Sequence, residues 1–311
     1  MIKILELFGG IGSPRCALRN IGVPVKSIDY VEIDEAAVRS YNAMFADELP
    51  YKPSSVVGWN LKPDILIHGS PCQDISIAGH QRGADEGSET RSSLMWETIK
   101  IIQNMGMWRP RIVIWENVKA VTGKRMIKNY LRYIDEMNSL GYTSNNEILD
   151  ARDFGLPQAR QRCFTVSMLN NQLFMFSQME RKPMRDIHEF LETTVPAYYE
   201  VTQPSMIKMI KGEATNAFNG RVQVIKDYAM TITCKQMRCP NSGVIDIGNG
   251  KFRYLTEREC WRLQGYLDTD FESALSVTPG KDNCLNSKLY KQAGNSIPVP
   301  IFESMFKCML K

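Results

Sequence analysis

Short strand-like runs and longer helix-like runs take turns through the first 140 residues, and that alternation narrows the fold more than any other feature. Residues 2–8 (IKILELF), 27–33 (SIDYVEI), 64–69 (DILIHG) and 111–117 (RIVIWEN) are short and rich in branched side chains. Between them, residues 14–22, 35–45, 92–105 and 125–141 carry apolar side chains at helical spacing, such as Met126, Tyr130, Ile134 and Met137. Strands alternating with helices predict a Rossmann-like α/β domain, with a parallel sheet covered on both faces. The alternation stops after about residue 170, and residues 176–222 show no clean repeat of it. Residues 244–256 (VIDIGNGKFRYLT) predict a hairpin about Gly248–Gly250. Residues 296–311 regain helical spacing through Ile301, Met305, Phe306 and Met309 and are expected to pack back on the first domain. The predicted division is a larger domain, 1–190 with 288–311, and a smaller irregular one with a hinge, 191–287.

A hydrophobic content of 43% and a charged content of 23% are those of an ordinary water-soluble domain. No run reaches the roughly 18 apolar residues of a membrane span, and Lys3 and Glu6 interrupt the first apolar stretch, which is expected to be a strand and not a signal peptide. A cytoplasmic monomer without membrane contact is expected. The cysteines at 16, 72, 163, 234, 239, 260, 284 and 308 contain no C-x-x-C pair. Reduced thiols are therefore expected, not a disulfide framework or a zinc site. Cys234 and Cys239 are too far apart for a zinc knuckle, and no metal is expected. The net charge of +4 is mild, but its distribution is uneven. Residues 100–132 hold eight Lys/Arg against one acid, and 221–253 hold six against two. Such blocks could line two sides of a polyanion cleft, or be solvated faces.

Residues 6–12 (ELFGGIG) run from a strand into a glycine-rich turn and then a helix, which brings backbone N–H groups against a ligand. Gly10 and Gly12 fit G-x-G, but Arg15 stands where a dinucleotide turn needs its third glycine, so a pyrophosphate cradle is disfavoured. Glu32 follows at the second strand's tip, where an acid binds ribose hydroxyls. A nucleoside cofactor without pyrophosphate fits both facts, and S-adenosylmethionine is the commonest of these. Cys72 follows the third strand, in GSPCQ, and Glu116 ends the fourth, in WENV. Ligand sites in an open α/β sheet lie at the carboxyl ends of strands, so both should share the cofactor's crevice. A thiol there can be partly thiolate, and a carboxyl group facing it can serve a ring nitrogen. Taken singly, the cysteine also reads as a small buried hydrophobe and the acid as a helix cap.

Together these blocks resemble the cytosine-5 DNA methyltransferases of the bacterial and phage type. FGGIG (8–12), VEID (31–34), GSPCQ (69–73), ENV (116–118), GLPQARQRCF (155–164), LTERECWRLQGY (255–266) and YKQAGNSIPVP (290–300) stand in family order along nearly the whole chain. The resemblance implies that Cys72 attacks C6 of a flipped-out cytosine, Glu116 protonates N3, and C5 takes a methyl group from S-adenosylmethionine. It implies Arg162 on the cytosine O2 with Arg160 close by. For the cofactor it implies Phe8, Gly10, Ile11, Gly12, Glu32, Ile33, Pro71, Leu94, Asn295 and Ser296. Residues 73–91, rich in glycine and small polar residues, would close over the base as a lid.

The chain departs from the family pattern at three places. Ile33 stands where a tryptophan is often found, SSVVGWN (54–60) lacks the acid expected on the adenine amino group, and Ala78 cannot fill the gap left by a flipped base. Residues 191–254 would recognise duplex DNA, with Gln73, Lys235, Gln236, Arg238 and Asn241 as candidate contacts. A tRNA cytosine methyltransferase on the same scaffold is the nearest rival. A catalytically inert relative would be expected to have lost Cys72, Glu116 or Arg162, and a nicotinamide-dependent oxidoreductase is opposed by the absent third glycine. The recognition sequence and any partner restriction endonuclease stay open.

Overall fold

The computed structural model describes residues 2–46, 50–59, 62–69, 94–214, 222–238 and 240–310. In chain order the larger part contains β1 (Ile2–Leu7), α1 (Ser13–Asn20), β2 (Val25–Val31), α2 (Glu35–Met44), β3 (Ile65–His68), α3 (Met95–Asn104), β4 (Ile112–Val118), α4 (Ile127–Ser139), β5 (Tyr142–Asp150), β6 (Gln158–Ala159) and β7 (Gln161–Leu169). The smaller part adds α5 (Pro204–Lys211), β8 (Ala229–Met230), β9 (Ile245–Gly248) and β10 (Lys251–Arg253). The chain closes with α6 (Glu257–Arg262), α7 (Asp268–Val277), α8 (Ser287–Asn295) and α9 (Val299–Met309).

Six strands form one sheet in the order β2-β1-β3-β4-β7-β5. β2, β1, β3 and β4 are mutually parallel, as predicted. The sheet is nevertheless mixed, because β7 inserts antiparallel between β4 and β5. Ile4, Ile65, Ile67, Ile112 and Ile114 enter one core with α1 and α9. Their strand neighbours Leu5, Leu66, Val113 and Trp115 enter a second core with α3 and α4. Burial on both faces explains why these strands read as nearly unbroken apolar runs. Two acids, Glu6 and Glu116, break them near their carboxyl ends and lie on the α1/α9 face, in step with Ile4 and Ile114.

The predicted hairpin is β9–β10, and the last helix packs on the first domain as expected. The smaller part has its own core of Tyr199, Val201, Met206, Val222, Val244, Phe252 and Tyr254. α6 and α7 do not belong to that core. Trp261, Leu263, Tyr266, Phe271 and Ala274 pack with the α1/α9 face of the sheet, so residues 255–277 of the expected recognition-and-hinge stretch lie against the larger domain. Thr256 and Glu259 start α6 with a capping box, and Arg253 ion-pairs with Glu259 from the end of the hairpin. Among the described residues no helix is long and apolar enough to cross a membrane.

Candidate active site

The turn after β1 bends tightly enough that side chains at two glycines would collide with it. A Cβ on Gly9 would lie 2.6 Å from the Tyr30 ring, and one on Gly12 would lie 2.5 Å from the Tyr41 ring. Gly12 is also left-handed (φ 78°) where it caps α1. Phe8 takes the left-handed region as well (φ 57°), a strained choice for an aromatic residue and one that clusters at ligand clamps. Glu32 holds the turn in place. Its Oε2 accepts from Gly10 N at 3.0 Å, and its Oε1 accepts from Ile33 N at 2.8 Å and Asp34 N at 2.9 Å. A carboxylate offers about four acceptor positions, so one is left for a ribose hydroxyl. Ile33 beside it is 72% exposed, as a residue waiting for an adenine face would be.

A shallow cleft opens between this turn and the end of α8. Phe8, Gly10, Ile11, Asn295 and Ser296 line it, so the structure brings together five of the expected cofactor residues. Gly12 stands behind them at the head of α1, and Glu32 and Ile33 stand at the tip of β2. Leu94 begins α3 and is not part of this wall. Pro71 lies outside the described residues. The sequence reading missed Glu6, Ser13 and Ile297, which line the same cleft. Ser13 and Tyr266 share a hydrogen bond of 2.6 Å, Tyr266 reaches Ser296 Oγ at 3.3 Å, and Ile297 N donates to Ser13 Oγ at 3.3 Å. This chain of hydroxyls fixes the Asn295–Ile297 wall against α1.

Glu6 is 1% exposed, and neither carboxyl oxygen has a hydrogen-bond partner among the described residues. Burial pushes its carboxyl up to about 8, and the charge of the neighbouring Arg15 draws it back. The sequence signal was present, since an acid in an otherwise apolar buried strand is costly without a purpose.

On the far side of β3, at the same carboxyl edge of the sheet, Arg162 Nε lies 3.2 Å from Glu116 Oε1. The pairing follows from β7 running antiparallel beside β4, with Val118 opposite Arg162. Burial pushes the Glu116 carboxyl up, and Arg162 and then Arg160 draw it back. Gly69, three residues before Cys72, stands next to it: a Cβ there would lie 3.6 Å from Glu116 Oε2. Cys72, Gln73, Ala78 and the expected lid at 73–91 lie outside the described residues.

Arg160, expected among the catalytic residues, is instead a buried tie. Its guanidinium donates to Ile232 O at 2.8 Å, Gly294 O at 2.9 Å and Ser296 O at 2.6 Å. Carbonyls at the end of α8 lack intrahelical partners and carry the negative end of the helix dipole, which draws a guanidinium. The segment expected to contact DNA is fastened at the same place. Thr231 Oγ1 donates to Ala159 O at 2.7 Å, and Ile232 N donates to Gln158 Oε1 at 3.1 Å. A Cβ on Gly294 would lie 2.3 Å from Cys234 N, so α8 and this segment touch backbone to backbone.

Of the candidate DNA contacts, Lys235 and Arg238 are exposed. Asn241 is also exposed, and its amide donates to Thr231 O at 3.1 Å. Gln236 is not available: it is buried, donates to Ser242 Oγ and accepts from Thr233 N at 3.3 Å. Its amide closes the 233–242 loop from inside, because a buried amide must find its partners within the fold. A wider hollow beside α7, lined by Tyr199, Glu257 and Lys281, lies away from the strand tips and contains no residue of the cofactor wall. Among the described residues no group of three His, Cys, Asp or Glu is placed to hold a metal.

The family model described as C-5 cytosine-specific DNA methylase matches residues 2–311. A type II methyltransferase of Lactococcus lactis subsp. cremoris is 30% identical over 100% of this chain and 99% of its own length. A type II methyltransferase of Neisseria gonorrhoeae is 30% identical, over 99% of this chain and 92% of its own. The crystal structure of the S. pombe Dnmt2 methyltransferase superposes with a TM-score of 0.76 at 18% identity, covering 100% of this chain and 98% of that one. That likeness is one of fold.

Proposed function

The chain belongs to the C-5 cytosine-specific DNA methylase family, and from that membership we propose that it methylates cytosine at a specific duplex site through a covalent adduct on Cys72. It is a DNA (cytosine-5-)-methyltransferase, and its cofactor is S-adenosylmethionine. When bound, that cofactor supplies an electrophilic methyl group on sulfur. The described residues fit it: Glu32 keeps an acceptor for a ribose, and Gly9 and Gly12 leave no room for side chains beneath the turn.

Cytosine C5 is a poor nucleophile, and addition of a thiolate across the C5–C6 bond divides the reaction into easier steps. The Cys72 sulfur forms a bond to C6, and Glu116 delivers its proton to N3 as the ring's electrons shift. C5 then takes the methyl group. A base removes the C5 proton, the C6–sulfur bond breaks, the double bond returns, and N3 gives its proton back to the Glu116 carboxylate. The observation that carries this reading is the buried Glu116 carboxyl, raised by burial, ion-paired with Arg162 and in contact range of Gly69. A carboxyl whose affinity for protons is raised by burial carries one more readily than a free carboxyl and can pass it to a ring nitrogen. The base must leave the duplex to meet groups at the floor of a cleft. Residues 191–254, which contain a core of their own and exposed Lys235 and Arg238, would choose the site.

The test is a duplex carrying 5-fluorocytosine, incubated with S-adenosylmethionine. Its C5 substituent cannot leave as a proton, so the adduct should survive denaturation. The wild-type protein should be trapped and Cys72→Ala should not. An adduct with Cys72→Ala removes this assignment.

A further inference from the structure

Tyr266 is not part of the cleft wall, yet its hydroxyl joins two residues that are. It follows α6 on a fixed mount. Gly265 before it is left-handed (φ 86°), and a Cβ there would collide with Pro300. Gln264 brackets the 295–297 wall: its Nε2 donates to Ala293 O at 2.6 Å, and its carbonyl accepts from Val299 N at 2.9 Å. The Tyr266 ring packs on Trp261, with centroids 5.1 Å apart. Only the hydroxyl reaches forward, to Ser13 at the head of α1 and Ser296 at the end of α8.

The bonds of this group run in one direction. Ser13, Tyr266 and Ser296 are all buried, so each hydroxyl hydrogen needs a partner within the fold. The Gln292 carbonyl can only accept, and Ser296 Oγ donates to it at 2.8 Å. Ser296 then accepts from Tyr266 Oη at 3.3 Å, and Tyr266 accepts from Ser13 Oγ at 2.6 Å. Ser13 in turn accepts from Ile297 N at 3.3 Å. Burial pushes the Tyr266 phenol up, so it keeps the proton that this order needs. Bonds aligned in this way polarise one another, and the middle hydroxyl supports both ends. We propose that Tyr266 is a positioning residue for methyl transfer: through Ser13 and Ser296 its hydroxyl sets the spacing between the glycine turn and residues 295–297, and with it the affinity for the cofactor. This rests on the S-adenosylmethionine reading and adds to it a residue that does not touch the ligand.

Tyr266→Phe removes one oxygen and leaves the ring, and calorimetry with S-adenosylhomocysteine reads the result without turnover. The variant should bind that ligand about threefold to tenfold more weakly, as for a lost hydrogen bond. In steady-state methylation the KM for S-adenosylmethionine should rise by a similar factor, while kcat at saturating cofactor and the KM for DNA stay within about twofold of wild type. Ser13→Ala, which cuts the same chain from its other side, should also weaken S-adenosylhomocysteine. The double variant should then lose no more than about the larger single loss, because the chain is already broken. Losses that multiply in the double variant would show two independent contacts and overturn the proposal. A lower melting temperature for Tyr266→Phe with unchanged affinity would make the hydroxyl a packing element only and overturn it too. A fall in kcat with the cofactor KM unchanged would move its role from the cofactor wall to the chemistry, a third contrary outcome. Failure of the wild type to bind S-adenosylhomocysteine would instead remove the cofactor reading itself.

Discussion

The carboxyl ends of β1 and β4 each bury a glutamate on the same face of the sheet, and the arginines beside them are placed differently. Glu116 faces Arg162 at 3.2 Å across the β4–β7 pair. Glu6 is raised to about 8 with Arg15 drawing it back, and neither of its oxygens has a hydrogen-bond partner among the described residues. Burial raises both carboxyls, and two arginines oppose it at Glu116 against one at Glu6. The depth of an acid alone does not set its proton affinity; the charges fitted beside it decide how far burial is offset.

The comparison breaks most visibly in the reaction rate. Glu116→Gln keeps the shape and removes the acid, so methyl transfer to duplex DNA should fall by about two to four orders of magnitude. Cofactor binding should be unchanged, because Glu116 is not part of the cofactor wall. Near-normal turnover would reduce Glu116 to a partner for Arg162.

Stability against pH separates the two ends next. The folded-state value of Glu6 lies above its ordinary one, so the unfolded chain ionises first as pH rises. Stability is lost across the window from about 4.5 to about 8, and Glu6→Gln should remove that loss. Chemical denaturation of the ligand-free protein should show the variant a few kcal/mol more stable than wild type at about pH 8 and similar below about pH 4.5. Parallel curves for the two proteins would mean that Glu6 finds a compensating charge in the fold.

Arg162 sharpens the comparison in a smaller way. Removing its charge should make Glu116 resemble Glu6, since Arg162 is the first of the two cations drawing the Glu116 carboxyl down. In Arg162→Gln, the limb of the kcat/KM profile that reports Glu116 should move up by about one pH unit. An unmoved limb would assign that ionisation to another group.

How much of this was legible in the sequence depends on distance along the chain. The parallel strands announced themselves through short apolar runs, and α2 and α4 through apolar side chains at helical spacing. The β7 insertion did not. β5 is an edge strand whose middle is half exposed, so YTSNNEILD has no clear period of two, and nothing local says that β7 slips between it and β4. The site shows the same limit. Glu116 and the glycine turn were found from local motifs, whereas the Ser13–Tyr266 bond joins residues 253 apart. Arg160 and Arg162 stand two residues apart in one motif, and only tertiary packing sends one to the backbone of α8 and the other to Glu116. Glu6 was visible as an acid in an apolar strand, but its lack of a partner is a property of the folded core.

The last and smallest effect should come from a residue remote from both ends. Arg238 is exposed on the loop that Gln236 closes from within, so its guanidinium is free to meet DNA while its backbone is held. If it reads a base edge with two hydrogen bonds, Arg238→Ala should lose about 1–3 kcal/mol of preference at one base pair of the methylated site. If it meets a phosphate, binding should weaken evenly over all sequences and the salt dependence should flatten. In either case S-adenosylhomocysteine should bind as in the wild type. The loop is tied to the cofactor wall through the Arg160 guanidinium and the Ile232, Gly294 and Ser296 carbonyls, not through any Arg238 side-chain contact. The measurement is methylation rate on single-base-pair variants of a site mapped by bisulfite sequencing, beside calorimetry with the cofactor product alone. A change in cofactor affinity without a change in site preference would move Arg238 from the DNA surface into the β1 end of the molecule.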